Sequence, residues 1–291
     1  MRELGETVID DIERLVVLGP VGTYLDGLAS SMDLGYPIEY GQSLEAMIEQ
    51  AEASQKTAIL LPIKNSLDGP LYNVVGAFQR RKLRIQGAAL LNVVSNIMGI
   101  GTLEEAEKIA GKDVALGQIT EFMPELERVT MPSTAAAGQH IQTTGDRTML
   151  AVGALAQAPI YGLNVLATAV QDPVGINRTT VLTVRGRNGW RFDPDTIAGI
   201  DYSLAGAMLM GLNDSVHAGS LHRALGQIAD RGINLTSIES LNVRGTERTE
   251  FFVTFSGMGK AIADLVTNEH ATQYMELDVL GVYSEPLTYD S

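Results

Sequence analysis

Two short strings of residues combine turn-forming glycine with groups that bind polar ligands. In the first, Leu18-Gly-Pro-Val-Gly-Thr-Tyr24, the glycines allow tight turns that expose backbone N–H groups to an anion such as a carboxylate. The second, Leu61-Pro-Ile-Lys-Asn-Ser-Leu-Asp-Gly69, presents Asn65 and Ser66, which donate and accept hydrogen bonds. Both follow apolar runs typical of strands, and ligand sites of α/β proteins lie at the carboxyl ends of strands. Either string alone is also typical of a connecting turn.

Other kinds of chemistry find little support in the sequence. The common nucleotide-binding, zinc-protease and serine-hydrolase signatures are absent. The chain has no cysteine, which excludes disulfides, thiolate metal sites and cysteine nucleophiles. The histidines show no metal-ligand spacing. The sequence therefore predicts neither a metal nor a cofactor.

Apolar runs alternate with helical patterns from residue 15 to about residue 184, which predicts an α/β domain with a mostly parallel sheet. A helix is predicted where Leu44, Met47, Ile48 and Ala51 share one face, and another after the capping-box pair at 102 and 105. Strands are predicted at 15–18, 57–61, 113–116, 148–152 and 180–184.

The pattern changes after a polar, turn-rich segment. From residue 202 onwards the order of predicted elements is βαββαβ, which is typical of a ferredoxin-like domain. We therefore predict four segments: an N-terminal extension, an α/β domain, a linker and a C-terminal domain, at 1–14, 15–186, 187–201 and 202–291.

Seven strings, taken in order, resemble motifs of the prephenate dehydratase family. Gly19 to Tyr24 is similar to Gly-Pro-x-Gly-Thr-Phe, and Pro62 to Ser66 to Pro-Ile-Glu-Asn-Ser/Thr. The remaining similar strings lie at 133–137, 161–166, 177–181, 219–225 and 232–240. The resemblance implies a two-lobed catalytic domain like a periplasmic binding protein, followed by a ferredoxin-like ACT domain.

The resemblance also implies an activity. Enzymes of this family convert prephenate to phenylpyruvate, with loss of carbon dioxide and water, in phenylalanine biosynthesis. Thr179 takes the position of the family's catalytic threonine, and Asn65 is expected to hold the substrate beside it. The substrate-binding residues that the resemblance and the glycine turn indicate are Gly22, Thr23, Lys64, Ser66, Ser133, Thr134, Arg178 and Thr180.

The chain departs from the family motifs at several positions. Thr180 stands where the family has arginine, and Lys64 where it has glutamate. Arg178 and Thr180 are expected to share one strand face, so Arg178 could supply the missing guanidinium. Two alternatives to the dehydratase follow: a non-aromatising prephenate decarboxylase of secondary metabolism, and an amino-acid-binding regulator with a dead catalytic cleft.

The C-terminal domain is expected to be regulatory. Gly219 opens a helix whose N–H groups favour an anion such as an amino-acid carboxylate. The resemblance implies feedback regulation by phenylalanine bound between subunits of a homodimer or homotetramer. The residues expected to bind it are Gly219, Ser220, Leu221, Glu239 and Ser240.

Charge and composition narrow the possible partners. The net charge of −14 disfavours nucleic acid as a partner. No apolar stretch is long enough to span a membrane, and the N-terminus lacks the apolar core of a signal peptide. We therefore expect a cytoplasmic protein with neither a nucleic-acid nor a membrane partner.

Overall fold

The computed structural model describes residues 12–32, 35–173, 177–188, 190–213, 217–243 and 249–290, so most of the predicted N-terminal extension lies outside the described residues. The strands are β1 (Arg14–Leu18), β2 (Ile38–Gly41), β3 (Thr57–Asn65), β4 (Gly69–Pro70), β5 (Leu83–Asn92), β6 (Asn96–Gly99), β7 (Lys108–Gly111), β8 (Glu127–Thr130), β9 (Met149–Gly153), β10 (Asn164–Ala167), β11 (Arg178–Gly186), β12 (Ser203–Leu212), β13 (Asn234–Asn242), β14 (Thr249–Met258), β15 (Met275–Ser284) and β16 (Leu287–Asp290). The helices are α1 (Tyr24–Ser31), α2 (Leu44–Ala53), α3 (Tyr72–Arg80), α4 (Asp113–Gly117), α5 (Thr134–Thr144), α6 (Gln157–Tyr161), α7 (Pro194–Ala198), α8 (Ser220–Ala229), α9 (Gly259–Thr267) and α10 (Glu269–Thr272).

The N-terminal sheet has the strand order β16-β5-β11-β3-β1-β2, with β4 paired to β3. β1 runs parallel to β2 and β3, whereas β11 is antiparallel to both of its neighbours, β3 and β5. Apolar side chains cover both faces of this sheet, as is usual when helices pack against it. The pairing of β3 with β11 brings together two segments that lie more than a hundred residues apart in the chain.

The middle sheet has the order β10-β6-β9-β7-β8 and forms a second lobe. Its faces are covered by two apolar clusters, one of which includes α5 and α6. The chain passes between the first two sheets twice, once after β5 and once before β11, because β5 and β11 belong to one sheet and β6 and β10 to the other. We call the region where these two lobes meet the cleft.

The C-terminal sheet has the order β13-β14-β12-β15, and all of its pairs are antiparallel. The order of its elements is βαββαβ with the short helix α10 inserted before β15. β16 then returns to the N-terminal sheet, where it pairs in parallel with β5. The last described strand therefore belongs to the N-terminal sheet, although the predicted boundary at residue 202 assigns it to the C-terminal domain. Within the described ranges no helix is long and apolar enough to cross a membrane.

Most predicted elements are confirmed, and three are corrected. Residues 113–116, predicted as a strand, form helix α4, because the buried strand lies just before them at β7. The capping-box pair Thr102 and Glu105 forms both of its hydrogen bonds but caps only a turn, since the chain enters β7 six residues after Thr102. The predicted linker contains helix α7, which Asp193 caps through its side chain.

The N-terminal and C-terminal sheets pack closely against each other. The ring of Phe252 on β14 also lies 5.3 Å from that of Phe78 on α3, a helix of the N-terminal domain. β15 approaches β5 so closely that a Cβ on Gly281 would lie 2.0 Å from the carbonyl oxygen of Ile85. Only glycine fits at position 281, because backbone cannot yield as a flexible side chain can.

We therefore expect Gly281→Ala to destabilise the protein by about 1–3 kcal/mol, the usual cost of forcing extra volume into a packed interior. Gly211→Ala on the partner strand β12 is the matched control, since its new Cβ would lie 3.9 Å from the nearest atoms, in ordinary contact. Urea denaturation measures both free energies of unfolding. Equal stability of the two variants would contradict the close approach of β15 to β5.

Candidate active site

Asn65 and Thr179 lie side by side where β3 ends and β11 begins. The antiparallel register pairs the two residues directly, and Asn65 Nδ2 donates a hydrogen bond of 3.0 Å to Thr179 Oγ1. Asn65 Oδ1 in turn accepts hydrogen bonds from the backbone N–H groups of Leu67, at 2.8 Å, and Asp68, at 3.2 Å. The turn after β3 therefore fixes the orientation of the Asn65 amide, which points its nitrogen at Thr179.

Two further amides extend this pair towards the second lobe. Asn65 Nδ2 also donates to Asn177 Oδ1, at 2.7 Å, and Asn177 Nδ2 donates to Gln118 Oε1, at 2.6 Å. Asn177 is buried, and Gln118 follows α4 in the lobe built on the middle sheet. We call Asn65, Thr179, Asn177 and Gln118 the amide–threonine chain; it joins the two lobes at the cleft.

The direction of these bonds determines what Thr179 can do. Both hydrogens of the Asn65 amide are used, so the Thr179 oxygen is held as an acceptor. The hydroxyl hydrogen of Thr179 then remains to be donated to another group. A hydroxyl oriented in this way can donate to a leaving oxygen in the cleft.

The glycine loop before α1 is organised around a buried acid. Gly22 has φ +83°, which favours glycine, and its N–H donates to Asp26 Oδ2 at 2.7 Å. Tyr40 donates its hydroxyl to the other oxygen of Asp26 at 2.6 Å. Burial, together with Asp26, raises the pKa of Tyr40 to about 12, so the phenol stays a donor. The expectation of an exposed N–H at Gly22 is therefore corrected: Asp26 already occupies that donor.

The same loop contacts the second lobe. Tyr161 donates its hydroxyl to the carbonyl oxygen of Val21 at 2.8 Å, and a Cβ at position 22 would lie 3.3 Å from both the Tyr161 ring and Gln157. Burial, with the charge of Asp26, raises the pKa of Tyr161. Gln157 is fully buried, and neither its side-chain nitrogen nor its oxygen has a hydrogen-bond partner. The loop therefore joins the N-terminal lobe to α6 of the second lobe.

Thr23, Ser133 and Thr134 lie at helix starts. Thr23 caps α1 by accepting a hydrogen bond from the N–H of Asp26. Ser133 caps α5 by accepting from the N–H of Ala136 at 3.1 Å, and Thr134 is buried as the first residue of that helix. The start of the 11-residue helix α5 is a favourable place for an anion, because helix N–H groups converge there.

The remaining predicted substrate-binding residues lie elsewhere. Lys64, Ser66, Arg178 and Thr180 line a cavity between the N-terminal and C-terminal sheets. Arg178 and Thr180 do share a face, as predicted, but side chains alternate along β11, so Thr179 points to the opposite face. The structure therefore divides the predicted substrate-binding residues between two places and corrects the expectation of one site.

The predicted regulatory residues are also divided. Gly219, Ser220 and Leu221 lie at the start of α8, which packs on one face of the C-terminal sheet. Glu239 lies on β13 and accepts a hydrogen bond from Lys64 Nζ at 3.2 Å, on the face that meets the N-terminal sheet. Ser240, next to it, is exposed. Within one chain, Glu239 therefore belongs with the interdomain cavity and not with α8.

The sequence did not single out Asn177, Asp26 or Gln118 as site residues. Asn177 could have been found from the sequence, because it lies two residues before Thr179. Side chains alternate along a strand, so the two are expected to point to the same face. Asp26 could not have been found in this way, because an acid in the first turn of a helix is ordinary. In the part of the chain that is described, no group of three or more histidine, aspartate or glutamate side chains could hold a metal ion.

Comparisons with known proteins agree with this architecture. Residues 15–185 match the family model of prephenate dehydratase. A bifunctional N-acyl-homoserine lactone acylase/prephenate dehydratase of Komagataeibacter europaeus is 25% identical over 278 residues, covering 93% of this chain and 96% of the relative. A prephenate dehydratase of Lactococcus lactis is 26% identical over 261 residues, covering 88% of each chain.

The fold agrees as well. The crystal structure of a prephenate dehydratase from Arthrobacter aurescens in complex with L-Phe matches with a TM-score of 0.75 at 22% identity, covering 94% of this chain and 90% of that one. The α/β mixed-sheet fold is thus that of prephenate dehydratase structures. Because the family model spans more than half of the chain, from β1 to β11, this protein belongs to the prephenate dehydratase family.

Proposed function

We propose that this protein is a prephenate dehydratase, a lyase that converts prephenate to phenylpyruvate in phenylalanine biosynthesis. The observation that carries the proposal is the hydrogen bond from Asn65 to Thr179 at the cleft between the lobes. It orients a hydroxyl whose hydrogen is available to the substrate. A cleft without catalytic function has no need of the amide–threonine chain behind that hydroxyl.

The proposed reaction breaks two bonds of the substrate. The bond between the ring and its carboxylate breaks, carbon dioxide leaves, and its electron pair completes the aromatic ring. The carbon–oxygen bond at the opposite ring position breaks, and the oxygen leaves as water after gaining one proton. Hydroxide is a poor leaving group, so we assign Thr179 the task of donating or relaying that proton, while Asn65 holds it in position.

Prephenate carries two carboxylates, which need donors in the cleft. We propose that the start of α5, at Ser133 and Thr134, holds one of them, since the helix N-terminus favours negative charge. The Gly22 loop contributes shape instead, because Asp26 occupies the Gly22 N–H. No cofactor takes part in the proposed reaction.

We further propose that the C-terminal sheet and its helices form an ACT domain that binds phenylalanine and regulates turnover. The βαββαβ order and the glycine at the start of α8 support this, as does the relative whose structure contains L-Phe. β13 is an edge strand with exposed Ile238 and Ser240, which suits pairing with a second copy. A homodimer or homotetramer, located in the cytoplasm, fits this proposal.

The experiment that tests the catalytic proposal is incubation of the purified chain with prephenate, followed by measurement of prephenate consumption and carbon dioxide release. We expect the protein to consume prephenate and to release carbon dioxide over many catalytic cycles. Absence of turnover, with L-phenylalanine still bound in calorimetry, would instead support an amino-acid-binding regulator with an inactive cleft.

A further inference from the structure

A cavity of about 380 Å³ lies between the N-terminal and C-terminal sheets. Its volume falls in the range of small-molecule sites, about 300–1,000 Å³. One wall comes from β3, β5 and β11, and the other from β12, β13, β14 and the end of β15. The cavity is distinct from the cleft between the lobes, because its residues lie on the opposite face of the N-terminal sheet from the packing partners of Val181 and Leu91.

The lining combines an apolar surface with charges of both signs. Much of the surface is apolar, including Val75, Leu90, Leu182, Phe252 and Tyr283. The lining contains two basic and two acidic side chains. The basic pair is Lys64 and Arg178, and the acidic pair is Glu239 and Glu285.

Hydrogen bonds hold these charges at the cavity wall. Lys64 Nζ contacts Glu239 Oε1 at 3.2 Å and Ser237 Oγ at 3.0 Å, so this pair largely satisfies itself. Arg178 Nε donates to Asn92 Oδ1 at 2.9 Å. Glu285 Oε1 accepts from Ser203 Oγ at 3.1 Å. Arg178 and Glu285 each have a neutral partner in these contacts, so both keep their full charge for a ligand.

This balance of charge selects the class of ligand. A dianion such as the proposed substrate could pair one carboxylate with Arg178 but would bring the other towards Glu285, and like charges at short range repel each other. A neutral apolar molecule would leave the charged groups desolvated without new partners. A zwitterion with an apolar side chain satisfies both the charges and the apolar wall.

The cavity also lies directly behind the amide–threonine chain. Lys64 precedes Asn65 on β3, and Arg178 precedes Thr179 on β11. The β3–β11 register shifts by one residue next to these positions, where a bulge lets Ile63 and Lys64 both line the cavity. A ligand that contacts Lys64 and Arg178 would therefore bind to the residues directly next to Asn65 and Thr179.

We propose that this interdomain cavity is a binding site for an α-amino acid with an apolar side chain, separate from any site at the start of α8. The carboxylate contacts Arg178, the ammonium group contacts Glu285, and the side chain packs against Phe252 and its apolar neighbours. Binding itself does not depend on the proposed catalytic function. Its effect on turnover does rest on that function.

Calorimetry of the full chain with L-phenylalanine and L-leucine tests the site without requiring turnover. We expect Thr236→Trp, which places a large side chain at the cavity, to weaken at least tenfold the binding that remains in Leu221→Arg, a substitution that disrupts any site at the start of α8. Asn234→Trp is the matched control, because residue 234 is exposed on the same strand and outside the cavity lining, and it is expected to bind as the wild type does. Aromatic side chains are well tolerated in strands, so both variants should fold.

Charge variants and ligand analogues test the zwitterion. Glu285→Gln should weaken binding about tenfold, the usual effect of losing a charge-assisted hydrogen bond, while Glu276→Gln on the exposed part of β15 should not. Phenethylamine and 3-phenylpropanoate, which each lack one charge, should bind at least tenfold more weakly than L-phenylalanine. Equal affinity of either analogue would overturn the assignment of the charges.

Two results would overturn the site itself. One is the absence of binding of either amino acid at millimolar concentration. The other is the loss of all amino-acid binding in Leu221→Arg alone, which would place the ligand at α8 and leave none in the cavity. If prephenate turnover is absent but binding follows the expected pattern, the cavity proposal stands and only the catalytic proposal fails.

Discussion

Thr179→Ala is expected to lower kcat for prephenate by about a hundredfold or more, the usual contribution of a positioned proton donor. The loss should appear in kcat and in kcat/KM alike, because the donated hydrogen matters mainly when the ring oxygen departs. The Asn65 amide would also lose an acceptor, since it now donates to Thr179 Oγ1 at 3.0 Å. Steady-state kinetics of phenylpyruvate formation measures the effect.

Two companion variants separate the hydroxyl from general packing. Thr179→Ser keeps the hydroxyl and should retain turnover within about tenfold of the wild type, since proton donation accounts for most of the expected loss. Thr183→Ala makes the same substitution four residues further along β11, in a buried position, and should change kcat only slightly. A Thr179→Ala variant with wild-type kcat would remove Thr179 from the mechanism.

Asn65→Asp is expected to lower kcat by about tenfold to a hundredfold while preserving the shape of the side chain. A carboxylate cannot donate to Thr179 or Asn177, as the Asn65 amide does at 3.0 Å and 2.7 Å. Thr179 would then donate its hydrogen to the new carboxylate and no longer to the substrate. The loss is expected to stay at or below that of Thr179→Ala, because the Thr179 hydroxyl itself is still present.

Asn164→Asp is the control for the added charge, because Asn164 is exposed on β10 in the middle sheet. It should retain wild-type kinetics. As the pH is lowered, the loss of kcat in Asn65→Asp should persist until the new carboxyl is protonated. A protonated carboxyl can again donate a hydrogen bond to Thr179. A loss confined to KM would mean that Asn65 binds substrate without orienting Thr179.

The main elements of the fold could be predicted from the sequence because their patterns are local. β1 is a run of buried aliphatic residues, and α2 shows an apolar face opened by the cap of Ser43. Local patterns gave wrong predictions where the same sequence pattern is compatible with two kinds of structure. Asp113–Gly117 is apolar and short, so periodicity could not distinguish strand from helix, and the Thr102 capping pair forms in a turn as readily as in a helix.

The site was predictable only in part. The motif order brought Asn65 and Thr179 to attention, and the antiparallel pairing of β3 with β11 places them together. The surroundings depend on packing between distant segments, which no local string encodes. Lys64 and Glu239 are 175 residues apart, and only the docking of the C-terminal sheet makes them partners. Similarly, the Gly22 N–H is occupied because Asp26 returns to it within the first turn of α1.

The structure of the reaction product tests the central claim most directly. After complete turnover of prephenate, proton magnetic resonance and mass spectrometry of the product show whether its ring is aromatic. The proposed role of Thr179 predicts phenylpyruvate, with aromatic ring protons and a mass lower than that of prephenate by carbon dioxide and water. A non-aromatic dihydro-hydroxyphenylpyruvate, which has lost carbon dioxide alone, would contradict it and identify a decarboxylase.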